Sequence, residues 1–385
     1  MSLISLPGSL LIGGGVLEQL PDLLRSMHCQ KSLLITDPTM VSLGHPQRVQ
    51  TLLAQHNIHC DIFSETVPEP TAASIQAGVV QASSDTYDVL IALGGGSPID
   101  SAKAISVLSR HGGTIRDYAV PAHVTRKGLA LIAIPTTAGT GSEFTRFTII
   151  TDEQNDEKLL CTGPAFVPDA ALIDYELTLT VPPRTTADTG IDAMTHAIEA
   201  YVSRKANAYS DSQALAAMNL IGPNLERVYQ DGQNRPAREA MMLGASLAGV
   251  AFSAASVALV HGMSRPIGAF FHVPHGLSNA ILLPTVTAFS IPAAPERYAQ
   301  CARALGFAAP EDNDTLANQK LLSTLQQLNQ NLQVPSLRAL GIEQSHFDSL
   351  RPTMAQQALA SGSPNNNPRL ASQEEIEALY AQLWT

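Results

Sequence analysis

The sequence predicts an N-terminal α/β domain with a doubly wound parallel sheet, followed by an all-α domain. In the first half of the chain, short apolar runs alternate with stretches of helical periodicity, which is typical of strands joined by crossover helices. Four prolines then fall between residues 164 and 183. Beyond Arg184 the sequence is rich in alanine, and its apolar residues follow helical spacing. We therefore place the domain boundary between residues 183 and 184.

The composition is that of a globular protein with more than one domain. The chain has 385 residues, of which 45% are hydrophobic and 15% charged. Its net charge of −11 argues against binding to nucleic acid or to an anionic membrane. The four cysteines are widely spaced, so neither a disulfide framework nor a thiolate metal site is expected. The N-terminal segment lacks the pattern of a secretory signal, and these features together predict a cytoplasmic protein.

Periodicity predicts individual elements in both parts of the chain. In the first part, the predicted strands span residues 31–37, 59–63, 88–93, 129–134 and, as a hairpin, 147–160. A helix is expected there at residues 46–55. In the second part, the predicted helices span residues 187–202, 208–228, 236–250, 253–264, 276–290, 295–305, 314–328, 346–358 and 372–382.

A glycine-rich turn follows the predicted strand at residues 88–93. Gly94, Gly95 and Gly96 come directly after this strand, and Ser97 is a suitable cap for a helix that begins at Pro98. Backbone N–H groups in such a turn, with the positive end of the helix, can bind a pyrophosphate. The pattern is not the G-x-G-x-x-G fingerprint, and a plain strand-to-helix turn is the alternative.

A second polar loop leaves the predicted strand at residues 129–134. Residues 135–143 are rich in hydroxyl groups and glycines, and two such loops at strand ends form a crevice in which nucleotides bind. Asp37 ends another strand and can accept hydrogen bonds from an adenosine ribose, which favours NAD over NADP. Alternatively, Asp37 only starts a turn before Pro38. Lys158 either reaches a phosphate or ribose or is merely solvated.

The second part of the chain contains side chains with the character of metal ligands. Asp192 and His196 are four residues apart, so on a helix they project from one face. Three of the 11 histidines, His261, His272 and His275, fall within 15 residues of mostly apolar sequence, where unpaired polar groups are costly. The carboxylate with three of these imidazoles suits Fe(II), Zn, Ni or Co and leaves room for a substrate oxygen. A solvated or mutually hydrogen-bonded Asp–His pair is the alternative.

Five stretches, in this order, resemble the iron-containing (group III) alcohol dehydrogenase family, and the resemblance covers nearly the whole chain. They are GGGSPIDSAK at 94–103, PTTAGTGSE at 135–143, GIDAMTHAIE at 190–199, HGM at 261–263 and VPHGL at 273–277. The resemblance implies that residues 1–183 bind a dinucleotide, NAD, and that residues 184–385 form the metal-binding and substrate domain. It also implies Fe(II) as the preferred ion. The implied metal ligands are Asp192, His196, His261 and His275.

The same resemblance implies which residues contact the cofactor. The pyrophosphate contacts would be Gly95, Gly96 and Ser97, and the contacts on the nicotinamide side would be Thr136, Thr137 and Thr140. Asp37 would contact the adenosine ribose and Lys158 the cofactor sugar.

Two positions depart from the family pattern. Glu69 stands where an asparagine is common, and Arg265 stands four residues after His261, where many members carry a histidine discussed as a proton relay. An arginine stays cationic near neutral pH and cannot shuttle protons. Either the relay passes through the cofactor ribose, water or His272, or Arg265 binds an anionic or strongly polar substrate group, or it forms a structural salt bridge. The candidate catalytic residues are therefore His261, His275, Arg265 and His272.

Together these features predict a NAD-dependent, iron-containing alcohol dehydrogenase or aldehyde reductase that transfers a hydride between a small alcohol or diol and nicotinamide. Two variants of this reaction stay open, namely reduction of a small anionic aldehyde through Arg265 and polyol oxidation like that of glycerol dehydrogenase. We expect small-molecule substrates, no nucleic-acid or membrane partner, and a homo-oligomer that is a dimer or larger.

Two rival functions fit the sequence less well. A lyase that resembles dehydroquinate synthase would also use NAD and a divalent metal, but it should carry a phosphate pocket rich in lysine and arginine, and residues 185–280 are poor in lysine. The second rival is a non-catalytic protein that binds only a metal or only a nucleotide. Such a protein would not need two phosphate-binding loops together with four metal ligands.

Overall fold

The structure is a computed structural model, and it describes residues 4–155 and 157–384. Residues 1–3, which begin the segment in which no secretory signal was found, and Asp156, in the predicted hairpin, lie outside the described residues. The chain divides into two compact units, the first ending at Thr180 and the second beginning at Val181. The boundary predicted between residues 183 and 184 falls in the first turn of a helix that begins at Pro183.

The first unit contains a six-stranded, all-parallel sheet with the order β1-β8-β5-β4-β2-β3. Its strands are β1 Ser9–Ile12, β2 Lys31–Ile35, β3 His59–Phe63, β4 Val89–Gly94, β5 Ala130–Pro135 and β8 Ala170–Ile173. A separate antiparallel hairpin consists of β6 Phe147–Asp152 and β7 Glu157–Thr162. The strands β1 and β8 were not predicted, because four residues are too few for a periodicity signal.

Helices cover both faces of this sheet. The α-helices of the first unit are α1 Leu20–Ser26, α2 Pro38–Ser42, α3 His45–Gln55, α4 Ala72–Ser84 and α5 Gly96–His111, and all except α2 contribute residues to the cores on either side of the sheet. Leu90 and Leu131 belong to one apolar core together with residues of α4 and α5, whereas Ile91 and Ile132 belong to a second core with residues of α1 and α3. Successive side chains of a strand point to opposite faces, so strands buried on both faces are apolar throughout. The predicted doubly wound sheet is confirmed.

All regular structure in the described part of the second unit is helical, as predicted. The α-helices are α6 Pro183–Val202, α7 Ala208–Ile221, α8 Leu225–Gln230, α9 Arg235–Ala255, α10 Leu259–Phe271, α11 His275–Ser290, α12 Pro295–Ala304, α13 Asp314–Asn331, α14 Gln344–Ala360 and α15 Gln373–Ala381. Helix α6 is central, because it packs against α7, α9 and α11 and is buried throughout its last three turns.

Three predicted helix boundaries are wrong. The single helix predicted at residues 208–228 is two helices, because Pro223 lacks the backbone N–H that a continuous helix needs. The break predicted at residues 251–252 lies instead after Ala255, since Ser256 adopts the left-handed conformation with φ of +66°. The helix predicted at residues 253–264 therefore begins later, at Leu259, and it continues to Phe271. The turn at Ser256 leaves no mark in hydrophobic periodicity.

The segment His275–Ala293 is long and apolar enough to cross a membrane by length and composition, and so is the bent pair of α9 and α10 if it is counted as one span. Half of the most apolar window of His275–Ala293 is buried inside the protein. Because α11 packs against α6, α10 and α13, we interpret it as a core helix of the second unit.

Candidate functional site

Four side chains of the second unit converge. Ligand atoms of Asp192, His196, His261 and His275 all lie within 4.8 Å of one another. The Oδ1 atom of Asp192 lies 3.8, 3.5 and 3.7 Å from the Nε2 atoms of His196, His261 and His275, respectively. The structure thus brings together four residues that are separated by as many as 83 positions in the sequence (275 − 192).

Three helices hold these side chains in place. Asp192 and His196 are one turn apart on α6, His261 lies in the first turn of α10, and His275 is the first residue of α11. A Cβ on Gly276 would lie 2.4 Å from the backbone oxygen of Asp188. Only glycine therefore allows the start of α11 to approach α6 closely enough to place His275 beside Asp192.

The charge states of Asp192 and His275 suit metal binding, whereas His261 has to lose a proton when a metal binds. Burial by itself would raise the pKa of Asp192, but the imidazoles around it, His196 foremost, hold that pKa well below its usual range. Burial lowers the pKa of His275, although Asp192 opposes the shift, so the ring is neutral at pH 7. Burial also opposes the charged form of His261, but contacts with Asp192 and Glu199 raise its pKa to about 8. An ionised carboxylate and a neutral imidazole are the forms that coordinate metals.

The cluster is closed on one side and open on the other. The side chains of Asp192 and His261 are 3% and 4% exposed, whereas that of His275 is 41% exposed. Phe252 stacks on the ring of His196, with the ring centroids 4.2 Å apart, and so restricts its orientation. One carboxylate and three imidazoles that converge in this way fit a divalent cation such as iron or zinc, with access from the side of His275.

Sequence reasoning missed two polar neighbours of these four side chains. The Oε2 atom of Glu199 lies 2.7 Å from Nδ1 of His261, within hydrogen-bonding distance. The side-chain amide of Asn279 donates to Asp192 Oδ1 at 2.7 Å and also lies 3.3 Å from Nε2 of His275. Helical spacing could have found both, because Glu199 follows Asp192 by seven residues and Asn279 follows His275 by four.

Arg265 and His272 lie outside the four-residue group. His272 is exposed and ends α10 in the left-handed conformation, and its catalytic role stays a prediction. Arg265 is half-buried, and no hydrogen bond or ion pair joins its guanidinium to another residue of the described chain. Burial lowers the pKa of Arg265, and the negative charge of Glu199 opposes the shift. The structural salt bridge considered from the sequence is therefore not formed within residues 4–155 and 157–384.

In the first unit, the two polar loops touch. They leave the carboxyl ends of the neighbouring strands β4 and β5. A Cβ on Gly96 would lie 2.9 Å from Cγ2 of Thr140, and one on Gly95 would lie 3.5 Å from the hydroxyl oxygen of Thr137. Gly94 has φ of +150°, which favours glycine. The glycines therefore let the two loops pack together at the strand ends, where doubly wound sheets bind nucleotides.

Asp37 and Thr136 border this pair of loops. Asp37 is the N-cap of α2 and accepts a hydrogen bond from the N–H of Met40 at 2.9 Å, while its second oxygen lies 3.5 Å from the Cβ position of Gly94. It thus starts a turn and also faces the glycine loop. The hydroxyl of Thr136 is buried and makes no hydrogen bond to any described residue. Buried hydroxyl groups normally have partners, so this group fits a site for a polar ligand such as a dinucleotide.

Glu69 contacts Ser97 and Lys158, the two remaining residues that the sequence predicts to bind the cofactor. The expectation that Ser97 caps α5 is wrong, because the helix begins at Gly96 and Gly95 is its N-cap. The hydroxyl of Ser97 instead accepts a hydrogen bond from the backbone N–H of Glu69 at 3.2 Å. Lys158 forms an ion pair with the carboxylate of Glu69. Both residues therefore contact the segment in which the sequence departs from the family pattern.

Lys103 is a buried lysine that sequence reasoning did not single out. Its ammonium donates hydrogen bonds to the hydroxyl and carbonyl oxygens of Thr145, at 2.8 and 3.1 Å, and to the carbonyl oxygen of Phe147 at 2.8 Å. Burial lowers the pKa of Lys103 to about 8, although Asp100 and Glu143 oppose the shift, so the ammonium form prevails at pH 7. Lys103 ties α5, which carries the first loop, to the chain that follows the second loop.

Two family models match the chain. The model of iron-containing alcohol dehydrogenase matches residues 7–175, and the C-terminal model of the Fe-containing alcohol dehydrogenase family matches residues 186–384. Among curated proteins, the chain is 35% identical to alcohol dehydrogenase 4 of Saccharomyces cerevisiae over 375 residues, which are 97% of this chain and 96% of that protein. It is 34% identical to lactaldehyde reductase of Escherichia coli strain K12 over 375 residues, 97% of either chain.

Solved structures agree with these matches. A 1,3-propanediol oxidoreductase superposes with a TM-score of 0.94 at 31% identity, with both chains covered completely. A sulfoacetaldehyde reductase from Bifidobacterium kashiwanohense in complex with NAD+ superposes with a TM-score of 0.88 at 25% identity, over 100% of this chain and 98% of that one. The chain belongs to the iron-containing alcohol dehydrogenase family. It is an oxidoreductase that interconverts alcohols and aldehydes with the help of a metal ion.

Proposed function

We propose that this protein uses NAD(H) and a divalent cation, Fe(II) in preference to Zn, Ni or Co, to interconvert a small alcohol or diol and the corresponding aldehyde. The observation that carries the proposal is the convergence of one carboxylate and three imidazoles within 4.8 Å. The touching loops, the unpaired Thr136 hydroxyl and the NAD+ complex of a structural relative support the choice of cofactor.

In this proposal the cation is held by Asp192, His196, His261 and His275. A bound divalent cation supplies Lewis acidity, which polarises a carbonyl oxygen and eases the loss of an alcohol proton. Burial of Asp192 and His261 excludes water from one side of the cluster, which strengthens electrostatic interactions there. The partly exposed His275 marks the side from which a substrate oxygen approaches.

The proposed cofactor site uses both loops of the first unit. Nicotinamide supplies or accepts the hydride, and the protein residues bind and orient it. The N–H groups of Gly95 and Gly96 lie at the N-terminus of α5, where the helix dipole favours a pyrophosphate. The remaining proposed contacts are Ser97, Thr136, Thr137 and Thr140 on the loops, Asp37 for the adenosine ribose and Lys158 for the cofactor sugar.

The proposal is tested by removing and restoring the metal. Protein stripped with a chelator should have no turnover, and loading with Fe(II) or, to a lesser degree, Zn(II), Ni(II) or Co(II) should restore it. The assay would offer short alcohols, diols, polyols and ω-hydroxy acids with NAD, and aldehydes with NADH. Full turnover in the stripped protein would contradict the proposal, as would the absence of turnover with every metal, substrate and direction.

Replacement of Asp37 should relax the preference for NAD over NADP. Asp37→Asn keeps an acceptor for the N–H of Met40 but removes the negative charge that repels a 2′-phosphate. We expect the ratio of kcat/KM for NADP to that for NAD to rise roughly tenfold, which corresponds to about 1.4 kcal/mol. Asp37→Gly, which also loses the cap, should show the same rise. An unchanged ratio in both variants would mean that Asp37 is only a helix cap.

Arg265 favours a second candidate function, the reduction of a small anionic aldehyde. Arg265 is half-buried, forms no ion pair with a described carboxylate and lies one helical turn after His261. Its positive charge also contributes to the lowered pKa of His275, so it acts on the ligand cluster. A partly desolvated arginine with free donors is suited to a carboxylate or phosphate group of a substrate.

We also propose that the protein is a cytoplasmic homo-oligomer. Leu10 and Ile12 of β1, at the edge of the sheet, are 45% and 44% exposed. An edge strand with exposed apolar side chains is suited to association with another chain. Light scattering on the purified protein would measure its mass in solution, and a monomer would contradict this part of the proposal.

A further inference from the structure

Glu199 lies on the face of α6 that carries two of the proposed ligands. It follows Asp192 by seven residues and His196 by three, so all three side chains project from one side of the helix. Glu199 is 3% exposed. A buried carboxylate is costly unless hydrogen-bond donors surround it, and its partners therefore indicate what it does.

Two of these partners are backbone N–H groups at the start of α10. The carboxylate accepts hydrogen bonds from the N–H of Ala258 at 2.8 Å and from that of Val260 at 2.6 Å. Ala258 is the N-cap of α10 and has no side-chain oxygen to cap the helix itself. The turn at Ser256, which precedes α10, is stabilised by Asn366, whose amide donates a hydrogen bond to the hydroxyl oxygen of Ser256 at 3.1 Å. Glu199 thus replaces the missing local cap with a carboxylate from another helix.

The third partner is the ligand His261. The carboxylate oxygen that accepts from Ala258 also lies 2.7 Å from Nδ1 of His261. An ionised carboxylate only accepts hydrogen bonds, so this contact requires a proton on Nδ1. In the neutral ring, Nε2 then carries the free lone pair, and this is the atom that lies 3.5 Å from Asp192 Oδ1 within the cluster.

We propose that Glu199 is the residue that positions His261 for metal binding. One carboxylate sets the tautomer and the rotation of the imidazole and also ties the first turn of α10 to α6, which carries Asp192 and His196. Removal of a residue that hydrogen-bonds to a metal-bound histidine typically lowers the metal affinity 10–100-fold. The inference rests on the proposed metal site and assigns Glu199 no contact with substrate or cofactor.

The test is the metal affinity of the stripped protein, titrated with Zn(II) and, without oxygen, with Fe(II) against a competing chelator. Glu199→Gln keeps an acceptor for His261 but removes the negative charge and turns an amide donor towards the backbone of α10. Glu199→Ala removes every contact. We expect affinity to fall at least tenfold in the Gln variant and further in the Ala variant, while NADH affinity, measured by fluorescence, stays within about twofold.

A matched control separates positioning from capping. Asn207 is the N-cap of α7 and accepts hydrogen bonds from the N–H groups of Tyr209 and Ser210, both at 3.1 Å. Asn207→Ala therefore also removes a helix cap from the second unit, but it touches none of the four ligands. Its unfolding midpoint should fall while its metal affinity remains that of the unchanged protein.

The possible results are distinguishable. If the Gln variant binds metal as tightly as the unchanged protein, or if Asn207→Ala loses as much affinity, Glu199 is only a cap and the inference is overturned. If the unchanged protein binds neither ion, the proposed metal function itself fails. A crystal structure of the zinc-loaded unchanged protein is a second test, and it does not depend on whether a variant folds. Coordination through Nε2 of His261 with Nδ1 on Glu199 is expected, and coordination through Nδ1 would overturn the inference.

Discussion

His261→Ala is expected to lower kcat at least about a thousandfold, equivalent to about 4 kcal/mol of transition-state stabilisation. His261 contributes one of the four converging donor atoms, and its loss also removes a hydrogen bond from the buried Glu199. NAD(H) affinity should remain nearly unchanged, because the proposed cofactor contacts are residues of the first unit. The measurements are kcat, the metal bound per chain and the dissociation constant for NADH.

The control for this variant is another histidine of the second unit. His346 is exposed on α14, and its ring meets that of Phe271 edge to face. His346→Ala should retain full metal content and turnover. The metal assignment of His261 would be contradicted if its replacement reduced NADH binding as strongly as turnover. It would also be contradicted if the variant kept a full complement of metal and normal turnover.

Arg265→Leu is expected to reduce kcat/KM for carboxylated or phosphorylated aldehydes by roughly 30-fold or more, since the loss of one member of a desolvated charge pair costs about 2–5 kcal/mol. For neutral aldehydes of similar size the change should be small, because these substrates offer the guanidinium no anion. This difference is expected because no described carboxylate forms an ion pair with Arg265, although the charge of Glu199 acts on it from a distance. The measurement is a paired set of kinetic constants for anionic and neutral substrates of matched length.

Arg265→Lys refines this test. Lysine keeps the positive charge but lacks the planar fork of donors that matches a carboxylate, so its kcat/KM for anionic aldehydes should lie between those of the unchanged protein and the Leu variant. Equal losses for anionic and neutral substrates in both variants would show that Arg265 has a structural role and does not bind a substrate anion.

Much of the fold was predictable because burial on both faces of a parallel sheet requires apolar strands. The run at residues 88–93 and the turn that follows it identified β4 and the first polar loop, which the structure locates beside the second loop. The four-residue spacing of Asp192 and His196 likewise predicted a shared helix face. Such features depend on neighbours close in sequence, where helical and strand geometry set which side chains meet.

Other features depend on contacts between distant segments. The break at Ser256 is held by Asn366, more than a hundred residues later, so periodicity placed it too early. The exposed position of His272, close in sequence to the buried His261, follows from the end of α10. Lys103 was overlooked because its hydrogen-bond acceptors lie more than 40 residues away.

The sequence by itself determined the order of the elements, the two glycine-bearing loops and which four side chains are the candidate metal ligands. Only the tertiary structure decided that Glu199 would hold His261, that Asp37 would cap α2 while facing the glycine loop, and that Arg265 would be left without a carboxylate partner among the described residues. The reason is physical. Local geometry follows from the backbone and nearby residues, whereas the partner of a buried polar group depends on which distant segments pack around it.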